Sequence, residues 1–262
     1  MVHRNTNEQR LQEEWQALWL ALSFITRLPM LVAIDYSPAL MNRSSVYFPL
    51  VGLLLGGLYA GLFSILSLLW APLVCVLLVL VFHLWITGAF HEDGMADSID
   101  ALGGGYTVEA RLRIMKDSRI GTYGTVSLVL ALALKAALLL SAPQIWLALL
   151  ISPCAARLTP LILMRFMPYV SDPDKSRTKP VAESFSTARL IAASLFVLAS
   201  CLLLSIWAPN LVMVAAIAIA AVAWLWGRNL DRNLGGYTGD ALGASVVFAE
   251  LGILLGLAIL AS

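Results

Sequence analysis

The strongest constraint in this sequence is a series of apolar windows, each bounded by proline or by charged residues. A membrane-spanning α-helix needs roughly 20 mainly apolar residues. Windows of this kind cover residues 46–70, 72–90, 122–141, 144–164, 188–208, 210–227 and 241–261. The composition, 60% hydrophobic and 13% charged, exceeds what one water-soluble core can bury. The sequence therefore predicts an all-α, polytopic membrane bundle of about seven transmembrane helices, in a single domain over residues 1–262.

The segment before the first window differs from the predicted spans. Its apolar stretch, residues 15–34, is interrupted by Arg27 and Pro29. Trp15 and Trp19 are residues of the type that anchors at membrane interfaces. We therefore expect an N-terminal interfacial or re-entrant helix instead of a further complete span.

The distribution of Lys and Arg predicts the orientation of the bundle. Three short connections on one side, around residues 71, 142–143 and 209, contain neither residue type, whereas the connections on the other side carry many. Short loops rich in Lys and Arg lie on the cytoplasmic side of a membrane. The basic side is therefore predicted to be cytoplasmic, and the net charge of +1 gives no nucleic-acid signature.

An acidic segment, HEDGMADSID at residues 91–100, follows a stretch without Lys, Arg, Asp or Glu. Asp93, Asp97 and Asp100 are spaced i, i+4 and i+7, which places them on one face of a helix. Because like charges repel strongly near a low-dielectric membrane, this spacing favours a bound cation. Oxygen ligands favour Mg²⁺ or Mn²⁺ over Zn²⁺. The alternative is an ordinary solvated helix end.

A basic segment, RLRIMKDSRIGTYG at residues 111–124, lies close behind the acidic one. Lys116, Asp117 and Arg119 precede two glycines, Gly121 and Gly124. Cations beside a carboxylate–metal cluster favour a phosphorylated substrate, because both neutralise charge on a transferred phosphoryl group. A basic cytoplasmic loop without a catalytic role is the alternative.

The last apolar window contains two further acids. Asp240 lies near the start of the helix, where it is either an N-cap or an additional metal ligand. Glu250 lies within the apolar helix and is predicted to face the bundle interior or a polar cavity. Lys135, another charge inside a predicted span, receives no assigned role because a lysine can extend to the interface.

Five separate blocks of the sequence resemble cobalamin synthase, the adenosylcobinamide-GDP ribazoletransferase family of integral membrane enzymes. They occur in the family's order and extend over the whole chain: SFITRLP (23–29), FPLVGLLLG (48–56), FHEDGMADSIDALGGG (90–105), IMKDSRIGTYG (114–124) and LGGYTGDALGA (234–244).

The resemblance implies the last step in assembling the cobalamin nucleotide loop. A ribose hydroxyl of α-ribazole or of its 5'-phosphate attacks the cobinamide phosphate of adenosylcobinamide-GDP, and GMP is released. The family uses Mg²⁺, lies in the bacterial inner membrane, and works at the cytoplasmic face. Membrane lipid is an expected partner, nucleic acid is not, and a homo-oligomer is left open.

The family pattern also assigns roles to residues of this chain. It implies metal ligation by Asp93, Asp97 and Asp240, a catalytic role for Asp117, and for Asp100 either metal ligation or acceptance of the ribose proton. Lys116 and Arg119 are implied to hold the pyrophosphate, and Arg27 and Glu250 lie in substrate-binding blocks. Glu92 is demoted as a ligand because the family also accepts an apolar residue there. Ala101 departs from the family's frequent glycine.

Two other classes of protein remain alternatives. A CDP-alcohol-type phosphotransferase also combines membrane helices with clustered aspartates, but its signature has AR after DG, whereas this chain reads DGMAD. A cation or metabolite transporter would line a pathway with Asp97, Lys135 and Glu250. Transporters place such charges near the bilayer midplane, whereas most acids here are predicted at helix ends. The loop at 165–187 is interpreted as a border of the corrinoid entrance or as a solvated connector.

Overall fold

A computed structural model of the chain describes residues 6–34, 36–170 and 185–259. Within these ranges the elements are α-helices and one short 3-10 turn, which confirms the all-α prediction. In chain order they are α1 (Thr6–Ile25), α2 (Pro38–Ser44), the 3-10 turn (Ser45–Tyr47), α3 (Phe48–Leu66), α4 (Pro72–Thr87), α5 (Phe90–Gly104), α6 (Val108–Ile114), α7 (Thr122–Ser141), α8 (Ile145–Ala156), α9 (Leu158–Phe166), α10 (Thr187–Leu204), α11 (Leu211–Leu234) and α12 (Gly239–Ile259).

Six helical segments of the described chain are long and apolar enough to cross a membrane. They are Pro38–Leu66, Thr122–Ser141, Ile145–Phe166, Thr187–Leu204, Leu211–Leu234 and Gly239–Ile259. A seventh crossing is obtained if α4 and α5, which are bent by 85° relative to each other, count as one broken span. The chain is therefore a multi-pass membrane protein, as predicted.

The predicted continuous span at 72–90 requires a correction. Helix α4 ends at Thr87 after 16 residues, because Gly88 and Ala89 both adopt the left-handed conformation, with φ of 66° and 57°. A left-handed residue ends the helical hydrogen-bond ladder, and α5 then starts in a new direction. The acidic segment therefore lies on a separate helix, set at a steep angle to the apolar one.

Helix α1 is absent from the candidate spans of the described chain, in agreement with an interfacial or re-entrant helix. Ala17 and Leu20 of α1 pack with Leu40 and Met41 of α2 in a small apolar cluster separate from the main core. Beside this cluster, the acids Glu13 and Glu14 of α1 form ion pairs with Arg43 of α2. The N-terminal helix is thus fixed to the start of the first span.

The span Ile145–Phe166, formed by α8 and α9, is the centre of the bundle, with 89% of its most apolar window buried. Helix α3 packs closely against it because Gly52 faces the backbone of Pro153 and Gly56 faces the backbone of Leu150. Small residues at a four-residue spacing let helix backbones approach in a membrane. This contact fixes the scaffold against which the site helix α12 packs, and α5 in turn packs against α12.

The three cysteines are buried and free, in agreement with their interpretation as small apolar core residues. Residues 171–184, which make up most of the 165–187 loop, lie outside the described residues, so the interpretation of that loop as a border of the corrinoid entrance stays a prediction. The single-domain prediction also stays a prediction.

Candidate active site at the start of helices α5 and α12

The break between α4 and α5 directs the acidic helix. The backbone N–H of Arg27 donates to the carbonyl oxygen of Ile86 at 2.7 Å, which ties the chain after α1 to the last turn of α4. The Arg27 side chain covers Gly88, where a Cβ atom would lie 2.6 Å from Arg27 Nε. Ala89 adopts a left-handed conformation that costs a non-glycine residue about 1 kcal/mol. Arg27, an exposed residue, thus lies at the hinge of the acidic helix.

The three aspartates on one face of α5 have different degrees of burial. Asp93 is exposed, Asp97 is half-buried and Asp100 is buried. The face predicted from their spacing therefore runs from the surface of the bundle into its interior. This gradient separates the three carboxylates into different environments.

The start of α12 meets α5 at Gly94. A Cβ atom at Gly94 would lie 3.0 Å from the Cα atom and 2.7 Å from the carbonyl oxygen of Asp240, so only a glycine permits this contact. One turn earlier on α5, the backbone of His91 lies beside Gly243, where a Cβ atom would be in ordinary van der Waals contact at 3.4 Å. The contact brings the charge of Asp240 close to those of Asp93 and Asp97. Two acidic blocks about 140 positions apart in sequence thus meet at one place.

Asp100 has a different set of contacts. Its Oδ2 atom accepts a hydrogen bond from the backbone N–H of Gly121 at 2.6 Å, and its Oδ1 atom accepts one from Gly124 at 2.8 Å. Gly121 precedes the first residue of α7, so the carboxylate binds the N–H groups that lack acceptors within that helix. A negative charge is also favourable at this end of the helix dipole. Asp100 therefore anchors α7 to α5, and its predicted catalytic role stays a prediction.

The basic segment lies beside these acids. The positive charge of Lys116 acts on Asp240, which joins the loop between α6 and α7 to the acidic cluster. Asp117 accepts hydrogen bonds from Arg119 Nε at 3.0 Å and from Arg119 Nη2 at 2.7 Å. These bonds lower the pKa of Asp117 to about 2, so the carboxylate is ionised at neutral pH. The roles predicted for Lys116, Asp117 and Arg119 stay predictions.

Glu250 is not part of this cluster. It lies ten residues after Asp240 on α12, roughly 15 Å along the helix axis. Its buried carboxylate accepts a hydrogen bond from Lys135 Nζ at 3.0 Å and from Ser152 Oγ at 3.3 Å. Lys135 therefore lies inside the bundle and does not extend to the interface. A substrate-binding role for Glu250 stays a prediction.

A buried series of hydrogen-bonded polar side chains lies behind the acidic helix and was not predicted from the sequence. The ring of His83 contacts the Tyr59 hydroxyl at 2.8 Å through Nδ1 and Glu92 Oε1 at 2.8 Å through Nε2. Glu92 thus connects α5 to α4 and α3. The burial of Arg157, which is only 2% exposed, was also not predicted. Both His83 and Arg157 are polar residues within apolar helices, and that placement is the signal that could have found them.

The acidic cluster offers carboxylate oxygens as donors for a metal ion. Across residues 6–34, 36–170 and 185–259, there is no group of three or more His, Cys, Asp or Glu side chains arranged to hold a metal. Mg²⁺, however, usually takes one or two carboxylates, several waters and phosphate oxygens of a substrate. Asp93, Asp97 and Asp240 bring three acids near each other at a surface that one cation, Lys116, also faces. The residues present therefore fit Mg²⁺ held jointly with a substrate, and not a closed all-protein site.

Fold and site together define a class: a multi-pass helical membrane protein with an acidic cluster, flanked by a basic loop, at one end of its bundle. A family model described as cobalamin-5-phosphate synthase matches residues 17–258. The chain belongs to this family.

The curated relatives extend over nearly the whole chain. A protein of Vibrio parahaemolyticus is 38% identical over 251 residues, which are 95% of this chain and 94% of the relative. A Vibrio cholerae protein is 40% identical over 94% of both chains, and one of Shewanella halifaxensis is 40% identical over 96% of this chain and 98% of its own. All three are named adenosylcobinamide-GDP ribazoletransferase. No solved structure matches the chain.

Proposed function

We propose that this protein is an adenosylcobinamide-GDP ribazoletransferase. It transfers the adenosylcobinamide-phosphate group from adenosylcobinamide-GDP to α-ribazole or its 5'-phosphate and releases GMP. The observation that carries the proposal is the likeness, over nearly the full length of both chains, to relatives with this one name. The relatives named here do not carry the name of a CDP-alcohol phosphotransferase or of a transporter.

The reaction requires one bond to form and one to break at the same phosphorus atom. The oxygen of a ribose hydroxyl bonds to the phosphorus carried by cobinamide, and the bond from that phosphorus to the oxygen of the GMP phosphate breaks. The hydroxyl proton leaves to a base, and GMP departs with the bonding electron pair. The phosphate under attack and the departing GMP bear negative charge, and the 5'-phosphate acceptor adds more, so the site needs positive charge.

Asp93, Asp97 and Asp240 are proposed to hold Mg²⁺ in the active enzyme. When bound, Mg²⁺ supplies charge neutralisation at the phosphate oxygens. Support comes from the contact of Gly94 with Asp240, which brings acids of α5 and α12 so close that the charges of Asp93 and Asp240 act on Asp97. Lys116, next to Asp240, is proposed to bind the pyrophosphate together with Arg119, whose ion pair with Asp117 fixes the position of its guanidinium.

The acidic cluster is proposed to face the cytoplasm from the bacterial inner membrane. Support comes from the loop that joins α6 to α7, which contains Lys116 and Arg119, and from Arg232 in the last turn of α11. By contrast, the turn between α7 and α8 and the turn between α10 and α11 contain no Lys or Arg. Basic residues in short loops favour retention on the cytoplasmic side.

The proposed function is tested by measuring GMP release from adenosylcobinamide-GDP by the purified protein in detergent micelles. We expect release only when α-ribazole or its 5'-phosphate and Mg²⁺ are both present. GMP release that is independent of the ribazole would indicate a hydrolase, and no release under any of these conditions would contradict the proposal.

The metal assignment is tested separately by titrating Mg²⁺ with the Asp240→Ala variant. Loss of a ligand, or of a group that orients a metal-bound water, should raise the Mg²⁺ concentration for half-maximal activity about 10- to 100-fold. Asp231→Ala, an exposed acid on the adjoining helix α11, is the matched control and should leave this concentration unchanged. An unchanged Mg²⁺ requirement in Asp240→Ala would remove Asp240 from the metal set.

A further inference from the structure

Arg157 is a buried cation that the proposed mechanism does not use. It lies at the junction of α8 and α9, near the middle of the span at the centre of the bundle. With 2% of its surface exposed, it is among the largest fully buried side chains in the described part of the protein. A charge at this depth is costly unless it is paired, and intramembrane charges are functional candidates by default.

The guanidinium of Arg157 is only partly hydrogen-bonded. Its Nη1 atom donates to the carbonyl oxygen of Pro153 at 2.7 Å, which fixes the plane of the group. Its Nε and Nη2 atoms are buried and have no partner within the described residues. These two nitrogens form the side of a guanidinium whose N–H bonds are parallel, the arrangement that binds two oxygens of one carboxylate or phosphate. The free side therefore has the geometry of an oxyanion receptor.

Arg157 lines a cavity of about 40 Å³. A site needs roughly 10 to 15 Å³ of such volume for one water molecule, so this cavity admits a few waters or one phosphate-sized group. Its other walls include Phe24, Phe48 and Phe90, which exclude most competing water, together with His91 on α5. A nucleotide or a corrinoid cannot enter this space, whereas a terminal phosphate can.

The first two turns of α12 complete the cavity, which Gly239 and Gly243 line. The start of a helix carries the positive end of its dipole, which attracts anions. In α12 the N–H of Ala241 already donates to Thr238 Oγ1 at 3.1 Å, so the helix contributes this dipole more than unbonded donors. The residue between these glycines in the first turn is Asp240, which contacts Gly94 of α5. The cavity therefore lies directly beside the acidic cluster.

We propose that this cavity binds the 5'-phosphate of α-ribazole 5'-phosphate, with Arg157 as its bidentate ligand. The inference rests on the proposed function and identifies a subsite for the acceptor substrate. The phosphates of adenosylcobinamide-GDP are flanked on both sides by large groups and do not fit so small a cavity. The 5'-phosphate is terminal, and only one ribose separates it from the ring hydroxyl that must reach the acidic cluster.

The test compares kcat/KM for α-ribazole 5'-phosphate with kcat/KM for α-ribazole in the purified enzyme with Mg²⁺. Arg157→Met removes the charge and should lower this specificity ratio about 10- to 100-fold, the loss expected for hydrogen bonds to a charged group. Arg157→Lys keeps the charge but lacks the parallel N–H pair, so the ratio should fall less. Arg165→Met, an exposed arginine on α9, is the matched control and should keep the wild-type ratio.

A second measurement needs no turnover. Inorganic phosphate, added to the metal-free protein at constant ionic strength against chloride, should raise the thermal unfolding midpoint of the wild type and of Arg165→Met. The rise should be clearly smaller for Arg157→Lys, which keeps the charge but lacks the parallel N–H pair. This measurement also decides the case if Arg157→Met fails to fold.

Three results would overturn the proposal. The first is an unchanged specificity ratio in both Arg157 variants together with no stabilisation of the wild type by phosphate. The cavity would then hold only water, which would bridge Arg157 to the unpartnered Oε2 atom of Glu92. Weaker product inhibition by GMP with an unchanged ratio would assign the cavity to the leaving nucleotide. A loss of kcat/KM that is equal for both acceptors would indicate a general structural role. Wild-type turnover of unphosphorylated α-ribazole shows in each case that the proposed function itself holds.

Discussion

Replacing Asp100 by Asn tests whether this aspartate is an anchor or a catalytic base. The carboxylate accepts one hydrogen bond from each of two backbone N–H groups, at 2.6 Å from Gly121 and at 2.8 Å from Gly124. The Asn side chain has nearly the same shape, but only one of its two terminal atoms is an acceptor. Its amide group would therefore face one of the two N–H groups, donor against donor.

The expected loss of stability follows from these two bonds. One charge-assisted hydrogen bond disappears, the other becomes a neutral one, and a buried N–H group is left without an acceptor. Hydrogen bonds to charged groups contribute about 1.5 to 3 kcal/mol, and the negative charge at the start of α7 adds a smaller dipole contribution. We expect Asp100→Asn to lower the free energy of unfolding by about 2 to 3 kcal/mol. For a chain of this size, that corresponds to a fall of roughly 4 to 12 °C in the unfolding midpoint.

The assay is thermal unfolding of the purified protein in detergent, followed by fluorescence, with GMP release measured well below the midpoint. Asp231→Asn, an exposed carboxylate on α11, is the control and should unfold at the wild-type temperature. A variant Asp100→Asn with the wild-type midpoint but a kcat lowered more than about 100-fold would refute the anchor argument. That outcome is the one expected of a general base.

Three shorter predictions concern the metal, the buried ion pair and the topology. Asp97→Asn should lower kcat at least about 100-fold at saturating Mg²⁺ while leaving the unfolding midpoint near that of the wild type. Turnover near the wild-type rate would remove Asp97 from the proposed metal ligands. Lys135→Met leaves the charge of Glu250 buried and unpaired, so it should destabilise the protein by about 3 to 5 kcal/mol. Adding Glu250→Leu should restore much of that loss, as measured by thermal unfolding. If the effects of the two substitutions were simply additive, the pairing would be contradicted. Reporter fusions after Ser118 should be active in the cytoplasm and fusions after Pro209 in the periplasm, and two fusions on the same side would break the topology.

Most of the apolar spans of this bundle were predictable because their hydropathy determines them. A backbone in lipid must satisfy its own hydrogen bonds, so a long apolar window forms a helix whatever its neighbours are. The acidic face of α5 was predictable for a similar reason, since the spacing of Asp93, Asp97 and Asp100 depends only on helix geometry. These features are local in sequence.

The parts that the sequence did not predict depend on contacts between distant segments. The end of α4 at Thr87 follows from two consecutive left-handed residues and from Arg27, which packs over Gly88 from the segment after α1. The bond from Lys135 to Glu250 joins residues 115 positions apart, and that from Gly124 to Asp100 joins residues 24 apart. Periodicity within one helix contains no information on which partner a side chain meets across the bundle.

The arrangement of α5 separates acids that fix the helix from acids that remain available to a ligand. Glu92 is bound to His83 on one side of the helix, and Asp100 holds the start of α7 at its far end. Both of these carboxylates are buried, and their hydrogen bonds set the position of α5 without any cation. Asp93 and Asp97 lie between them on the more exposed part of the helix, against Asp240. Because hydrogen bonds of the buried acids set the position of α5, the exposed acids are held close together before the proposed metal–phosphate complex binds. That preorganisation is what an electrostatic site requires.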